Sequence, residues 1–269
     1  MAVENIFQLV EQRGWRLGFG NLLARENRKW WGSNRWWMQA LLWTGVLTGF
    51  LVIVLYVLPG LVTPDGERVF EEDPAASAVQ GFFGVGAFAL AIGITILMQD
   101  EITAEKQSGT AEWVLSKPAS RSAFILAKLT AHTGGMLVVM LGIPAAITYA
   151  ILSAAVSGPY PLLPFLAGVG LVTLHTFFYL TLTLMMGVWV ERNGAILAVS
   201  LGALLGGSFI RDFLPAISLG TPWFLPDIAG LAALGVAIPP QLVLPILASI
   251  LWPAIFIAVA LWKFRRYEF

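Results

Sequence analysis

MQALLWTGVLTGFLVIVLYVL, residues 38–58, decides the fold. The run carries no formal charge and stops at Pro59-Gly60. A bilayer core about 30 Å thick is crossed by about 20 helical residues, so the stretch reads as a transmembrane span. Predominantly apolar runs at about 79–98, 123–152, 163–190, 194–210 and 242–262 bring the expected number of spans to six. The composition agrees: 58% of the residues are hydrophobic and 12% charged, against roughly 45–50% and about 25% in soluble domains. The expected class is an all-α integral membrane protein, with a polar segment at 1–37 and a six-span domain at 38–269.

Charge placement sets the orientation. If the N-terminus is cytosolic, all but two of the 16 Lys and Arg fall inside, and only Arg68 and Arg211 lie outside. That asymmetry satisfies the positive-inside rule. The apolar segment IAGLAALGVAI, 228–238, is too short to span. It lies between Pro226 and Pro239-Pro240, and a seventh span there would carry Lys263, Arg265 and Arg266 outside. Residues from about 211 to 240 are therefore expected to be re-entrant, with both termini cytosolic. The expected location is the cytoplasmic (inner) membrane of a bacterial cell.

Other classes are limited by what is missing. The chain has no Cys, and its two His, His132 and His175, lie far apart; neither a metal centre nor a His-based triad is expected. Zero net charge gives no reason to expect nucleic-acid binding. No Gly-Lys pair occurs, so no phosphate loop is present and ATP hydrolysis by this chain is not expected. An intramembrane enzyme would need clustered Asp, His or Ser at depth. A secondary carrier usually shows embedded charges and repeated halves, and neither is evident.

Before the first span, five Trp are interleaved with Arg and Lys. This pattern suits an amphipathic helix within 5–31, lying on the cytosolic face with its Trp at headgroup level. The outer loop at 59–78 is acidic, and its charges serve to keep it solvated.

The first inner loop, 99–122, contains EKQSGTAEWVLSKPASR at 105–121. Helix is expected to continue from span two to about Lys106, with Ser108-Gly109 interrupting it. Thr110 is the expected N-cap of a second piece, and Glu112 lies in the first turn, where a helix dipole favours a carboxylate. Trp113, Val114 and Leu115 form a short apolar face that ends at Pro118, after which Ser120 caps span three. Such a helix is too short to hold itself together, so a cover for Trp113 is expected, either the bundle and its headgroups or a partner protein.

On these residues the chain resembles the membrane subunits of type-two ABC exporters. The resemblance rests on Glu105, Gly109-Thr110, Glu112, Leu115, Pro118 and Arg121, followed by Lys128 in FILAKL, and is specific over about 99–130. Elsewhere it is architectural. It implies that the short helix is a coupling helix seated in a groove of a separate ATPase, with Trp113, Val114 and Leu115 as anchor. Glu105, Glu112 and Arg121 would bracket that anchor with charge, and Gly109 and Pro118 would bound it. Glu191 and Arg192, between spans four and five, would make a smaller contact. The implied partners are two ATPase copies, which would bind ATP and magnesium, and a second permease copy or a homologous chain; this chain itself would hold no cofactor. Phe82, Phe83 and Phe88 on span two, with Gly202 and Gly206 on span five, would line a path for apolar or amphipathic cargo. Ala198, Gly202 and Gly206 also make a stripe suited to close helix contact, either with a second copy or within the same bundle. His175 is expected to be structural, and His132 is given no role. A permease-like scaffold that assists assembly of an envelope enzyme is the alternative within the same family.

Overall fold

The computed structural model describes residues 14–62 and 73–267, and every regular element among them is helical. A short turn at Gly14–Arg16 leads into α1, Phe19–Trp31. The expected amphipathic segment at 5–31 is thus helical over its last thirteen residues; residues 5–13 lie outside the described residues. Helix α1 turns Leu22, Glu26 and Trp30 inward and packs along the third spanning helix, opposite Gly135.

Six helices are long and apolar enough to cross a membrane, at Arg35–Gly60, Pro74–Gln107, Arg121–Ala155, Leu162–Trp189, Asn193–Phe213 and Pro240–Arg265. The first contains α2, Arg35–Val52, which widens into a π-helical turn at Ile53–Val57. The second opens with α3, Pro74–Met98, where the Asp73 carboxylate accepts from the Ala75 amide at 3.0 Å and Pro74 fills the first helical position. Both are favoured where the first amides lack intrahelical partners. The third comprises α6, Arg121–Gly135, and α7, Ile143–Ala155, joined by a π-helical stretch at Met136–Gly142. Pro144 accounts for that widening, because it cannot donate to the carbonyl one turn back and its ring crowds it.

At the centre of the bundle lies α8, Leu162–Trp189, packed against α3 and the last helix, α12, Val243–Arg265. Between α9, Asn193–Phe213, and α12 the chain forms a single turn, α10 at Pro215–Ser218, and a nine-residue helix, α11 at Leu225–Ala233. Helix α11 buries Ile228, Ala229, Ala232 and Ala233 against α3 and α8. Close approach allows this: a Cβ on Gly168 would fall 2.8 Å from the Ala229 carbonyl oxygen. Short non-spanning helix is tolerated among membrane-spanning helices where protein rather than lipid surrounds it. On the outside, α2, α9 and α12 expose Leu41, Val46, Leu205, Phe209, Leu247 and Leu251, as surfaces facing acyl chains would.

The structure places two groups of residues named above. Phe82 and Phe83 are buried in an aromatic cluster with Phe165. The stripe of Ala198, Gly202 and Gly206 faces outward, while α9 packs inward through Ile196, Ser200, Leu204 and Gly207. At Gly207 an added Cβ would meet the Trp223 indole at 2.1 Å, which makes Gly207 the close-approach residue of this helix.

Candidate functional site at the charged end of the bundle

Helix α3 ends at Met98, and after one irregular turn α4 runs from Thr103 to Gln107. Gly109 then takes a left-handed conformation (φ +72°) and starts α5, Thr110–Leu115. Glycine reaches that region without the penalty a Cβ brings. Gly109 therefore occupies the cap position expected for Thr110, whose hydroxyl lies 2.8 Å from that of Ser108. Further on, the Ser120 hydroxyl accepts from the Ala123 amide at 3.0 Å and caps α6.

The six residues of α5 present two faces. Ala111 and Val114 are buried, whereas Trp113 is 62% exposed, with the Lys117 ammonium 3.5 Å above its ring. Glu112 and Pro118 are exposed and Leu115 is half-buried. Of the three apolar residues expected to project together, Val114 points inward, because adjacent helical positions cannot share a face.

Both ends of this short element are braced. Behind it, the Ser120 amide donates to the Leu17 carbonyl at 2.9 Å, and Arg121 Nη1 donates to the carbonyls of Arg265 and Tyr267 at 2.8 and 2.6 Å. Ahead of it, the Glu105 carboxylate turns into the bundle, 2.9 Å from Lys128 Nζ, 2.9 Å from Lys29 Nζ and 3.2 Å from Arg25 Nη2. Neither Glu105 nor Arg121 brackets Trp113: one is spent on internal ion pairs, the other on the chain's C-terminal carbonyls. The α8–α9 loop lies alongside, since Gln107 donates to the Glu191 carbonyl at 2.8 Å and Thr103 to Asn193 Oδ1 at 2.6 Å. The side chains of Glu191 and Arg192 remain exposed.

Glu105 belongs to a larger buried cluster not foreseen in the sequence. Lys128 has no solvent exposure and also approaches Glu26 (3.2 Å) and Glu101 (3.8 Å). Lys29 reaches Glu26 at 2.9 Å and Arg35 reaches Glu101 at 3.1 Å. Three carboxylates thus meet four cations on α1, α2, α6, α4 and the turn before α4. Burial by itself would lower the pKa of Lys29, but Glu101, Glu26 and Glu105 outweigh it and hold the ammonium above its usual range. His132 Nδ1 accepts from the Trp30 indole at 3.2 Å, so in the neutral ring the proton sits on Nε2, 3.4 Å from Glu101 Oε1. The signal in the sequence was Lys128 itself, a lone cation within FILAKL.

The donor set Glu26, Glu101 and His132 comes within 4.8 Å, as a metal site would require. A cation does not fit, because Lys128 and Lys29 already occupy the carboxylate oxygens it would need. The cluster is an ion-pair brace joining α1 to α6 and to the start of the α4–α5 loop.

Trp30 seals that brace, and Gly135 makes room for it: a Cβ there would lie 2.5 Å from the indole. Gly135→Ala is expected to displace Trp30 and cost about 1–3 kcal/mol, as overpacking does. Thermal unfolding in detergent would show the loss, and trypsin would cut more readily at Arg25 and Arg28. An unchanged midpoint would mean that α1 is not fixed through this contact.

The remaining candidates fall elsewhere. Phe88 lines a cavity with His175 towards the opposite end of the bundle, and Gly202 and Gly206 face away from it. No protein-family model matches the chain, and neither does any curated protein.

Proposed function

We propose that the chain is the membrane subunit of an ATP-driven exporter, with ATP hydrolysed by a separate polypeptide seated on α5. The observation that carries the reading is the exposure of Trp113 at the tip of a six-residue helix whose other face is anchored. A large aromatic rimmed by charge is the usual centre of a protein-binding surface. The bracing supports the mechanism. Force applied to α5 passes through the Glu105 pairs to α1 and α6, and through Arg121 to the end of α12. Closure of two ATPases on nucleotide binding would thus tilt a bundle rather than bend a loop. The exposed Glu191 and Arg192 extend the same docking face. A complete exporter needs a second permease copy, and the apolar character of the spans suits an apolar or amphipathic cargo leaving the cytoplasm or inner leaflet.

This reading requires α5 to lie in the cytosol. The chain has no Cys, so Ser116→Cys creates a single thiol beside Trp113. A membrane-impermeant maleimide is expected to label it in inverted vesicles and to leave it unlabelled in intact cells. Labelling from outside intact cells would refute the proposal.

A further inference from the structure

A groove of about 370 Å³ opens beside the charged end of the bundle, between the entry to α1 and helices α6 and α12. Each element lines it with residues four apart: Trp15 and Phe19; Ser122, Leu126 and Thr130; Leu261 and Arg265. Residues at that spacing share one helix face, and the wall on α6 is about 12 Å long at the helical rise. The three sets are in register, because α1 runs beside α6 in the same direction, with Gly18 against Ala119 and Trp30 against Gly135. Trp15, Ser122 and Arg265 therefore stand together at the mouth, where Arg265 Nε donates to Ser122 Oγ at 2.9 Å. One turn further in lie Phe19, Leu126 and Leu261. The Thr130 hydroxyl beyond them donates to the Leu126 carbonyl at 2.8 Å. The groove is thus polar at one end and apolar along the rest.

Its mouth carries positive charge that the chain does not balance. Among the described residues no carboxylate pairs with Arg16, Arg265 or Arg266. Glu26, Glu101 and Glu105 are already held by the cations of the buried cluster. The bond to Ser122 engages only Nε of Arg265, so among the described residues both terminal nitrogens of the guanidinium lack a protein acceptor. Such a fork takes a phosphate through two parallel hydrogen bonds. Arg266 lies 4.6 Å above the Trp262 ring and Arg16 lies 5.4 Å above Trp15; indole rings favour the headgroup level of a bilayer. A second hollow, of about 440 Å³, extends along α12 from Arg266 and Trp262 to Ala258, and it shares Leu261 and Arg265 with the first. Two hollows therefore meet at one guanidinium.

We infer that this site binds one anionic phospholipid, with its phosphate on Arg265 between Arg16 and Arg266 and one acyl chain in each hollow, against Phe19 and Leu126 on one side and Ala258 on the other. Basic pockets between membrane helices suit acidic headgroups for this reason: the phosphate supplies the missing counter-charge while the chains cover the apolar walls. A headgroup that carries its own ammonium is disfavoured, because among the described residues no carboxylate stands at the mouth to receive it. The inference uses only the membrane setting of the six long apolar helices. It requires neither ATP nor a partner protein, so it stands or falls apart from the exporter reading.

The test is native mass spectrometry of the full-length protein, delipidated in detergent and titrated with phosphatidylglycerol or with phosphatidylcholine of the same acyl chains. The first phosphatidylglycerol is expected to bind about 25- to 100-fold tighter than the first phosphatidylcholine, at about fivefold for each of two or three arginines facing an acidic lipid. Arg265→Gln should weaken phosphatidylglycerol by about fivefold or more and leave phosphatidylcholine unchanged. Arg28→Gln removes an exposed cation of α1 that lines neither hollow, and should change neither lipid. Free glycerol phosphate, which has the headgroup but no chains, should not displace the bound lipid. The comparison of two lipids needs no substitution, so a folding defect in one variant does not decide the result. Equal affinity for the two lipids, unchanged binding in folded Arg265→Gln, an equal loss in Arg28→Gln, or displacement by glycerol phosphate would each overturn the inference.

Discussion

Lys128→Met is expected to destabilise the protein by about 3–5 kcal/mol, the usual consequence of removing one partner from a buried ion pair. The side chain has no exposure and stands 2.9 Å from Glu105, 3.2 Å from Glu26 and 3.8 Å from Glu101. Methionine fills similar space, so the loss is electrostatic rather than a cavity effect. Lys29, Arg25 and Arg35 remain nearby and keep the cost from rising further. Unfolding in mixed micelles should register the change. Pairing the substitution with Glu105→Gln removes one of the stranded charges, so the double variant should lose less than the sum of the two single variants by about 0.5–3 kcal/mol. A single-variant loss below about 1 kcal/mol would show that the cluster is wetted and does not brace the bundle.

Trp113→Ala should have the opposite profile. The ring is 62% exposed, with the Lys117 ammonium against it, so stability should change by no more than about 0.5 kcal/mol. If α5 anchors an ATPase, truncation of its central aromatic should weaken that complex by about 2–4 kcal/mol, or roughly 30- to 1,000-fold in affinity. Co-purification of the ATP-hydrolysing subunit and ATPase turnover of the purified complex both read this effect. Intact complex yield alongside a well-folded variant would remove α5 from the interface. The two variants separate the roles of the charged end: Lys128 holds it together, and Trp113 faces outward from it.

Much of this architecture is written locally. Runs such as 38–58 are apolar beyond any soluble use, and the six spanning helices follow from them. The break at Gly109 and the cap at Ser120 also come from nearest neighbours, through a positive φ and a hydroxyl within reach of an amide three residues on. Direction within the bundle was not legible in the same way. Phe82 and Phe83 are core; Ala198, Gly202 and Gly206 lie on the outer side of α9, while Gly207 makes the close contact within the bundle. In lipid, apolar side chains are at home on either face of a helix, so apolarity alone gives no sense of inside.

Glu105 shows the limit most clearly. Its place beside α5 suggested a charge at a docking surface, yet it pairs with residues 23, 76 and 80 positions away. The sequence by itself determined where the long apolar helices run, because propensity, capping and transfer from water act over a few residues. Only the tertiary structure decided which charges are buried together, that Val114 turns in while Trp113 turns out, and that Ser122, Leu261 and Arg265 line one groove. Those outcomes depend on which helices meet, and burial and Coulomb energy are settled only once distant segments are in contact.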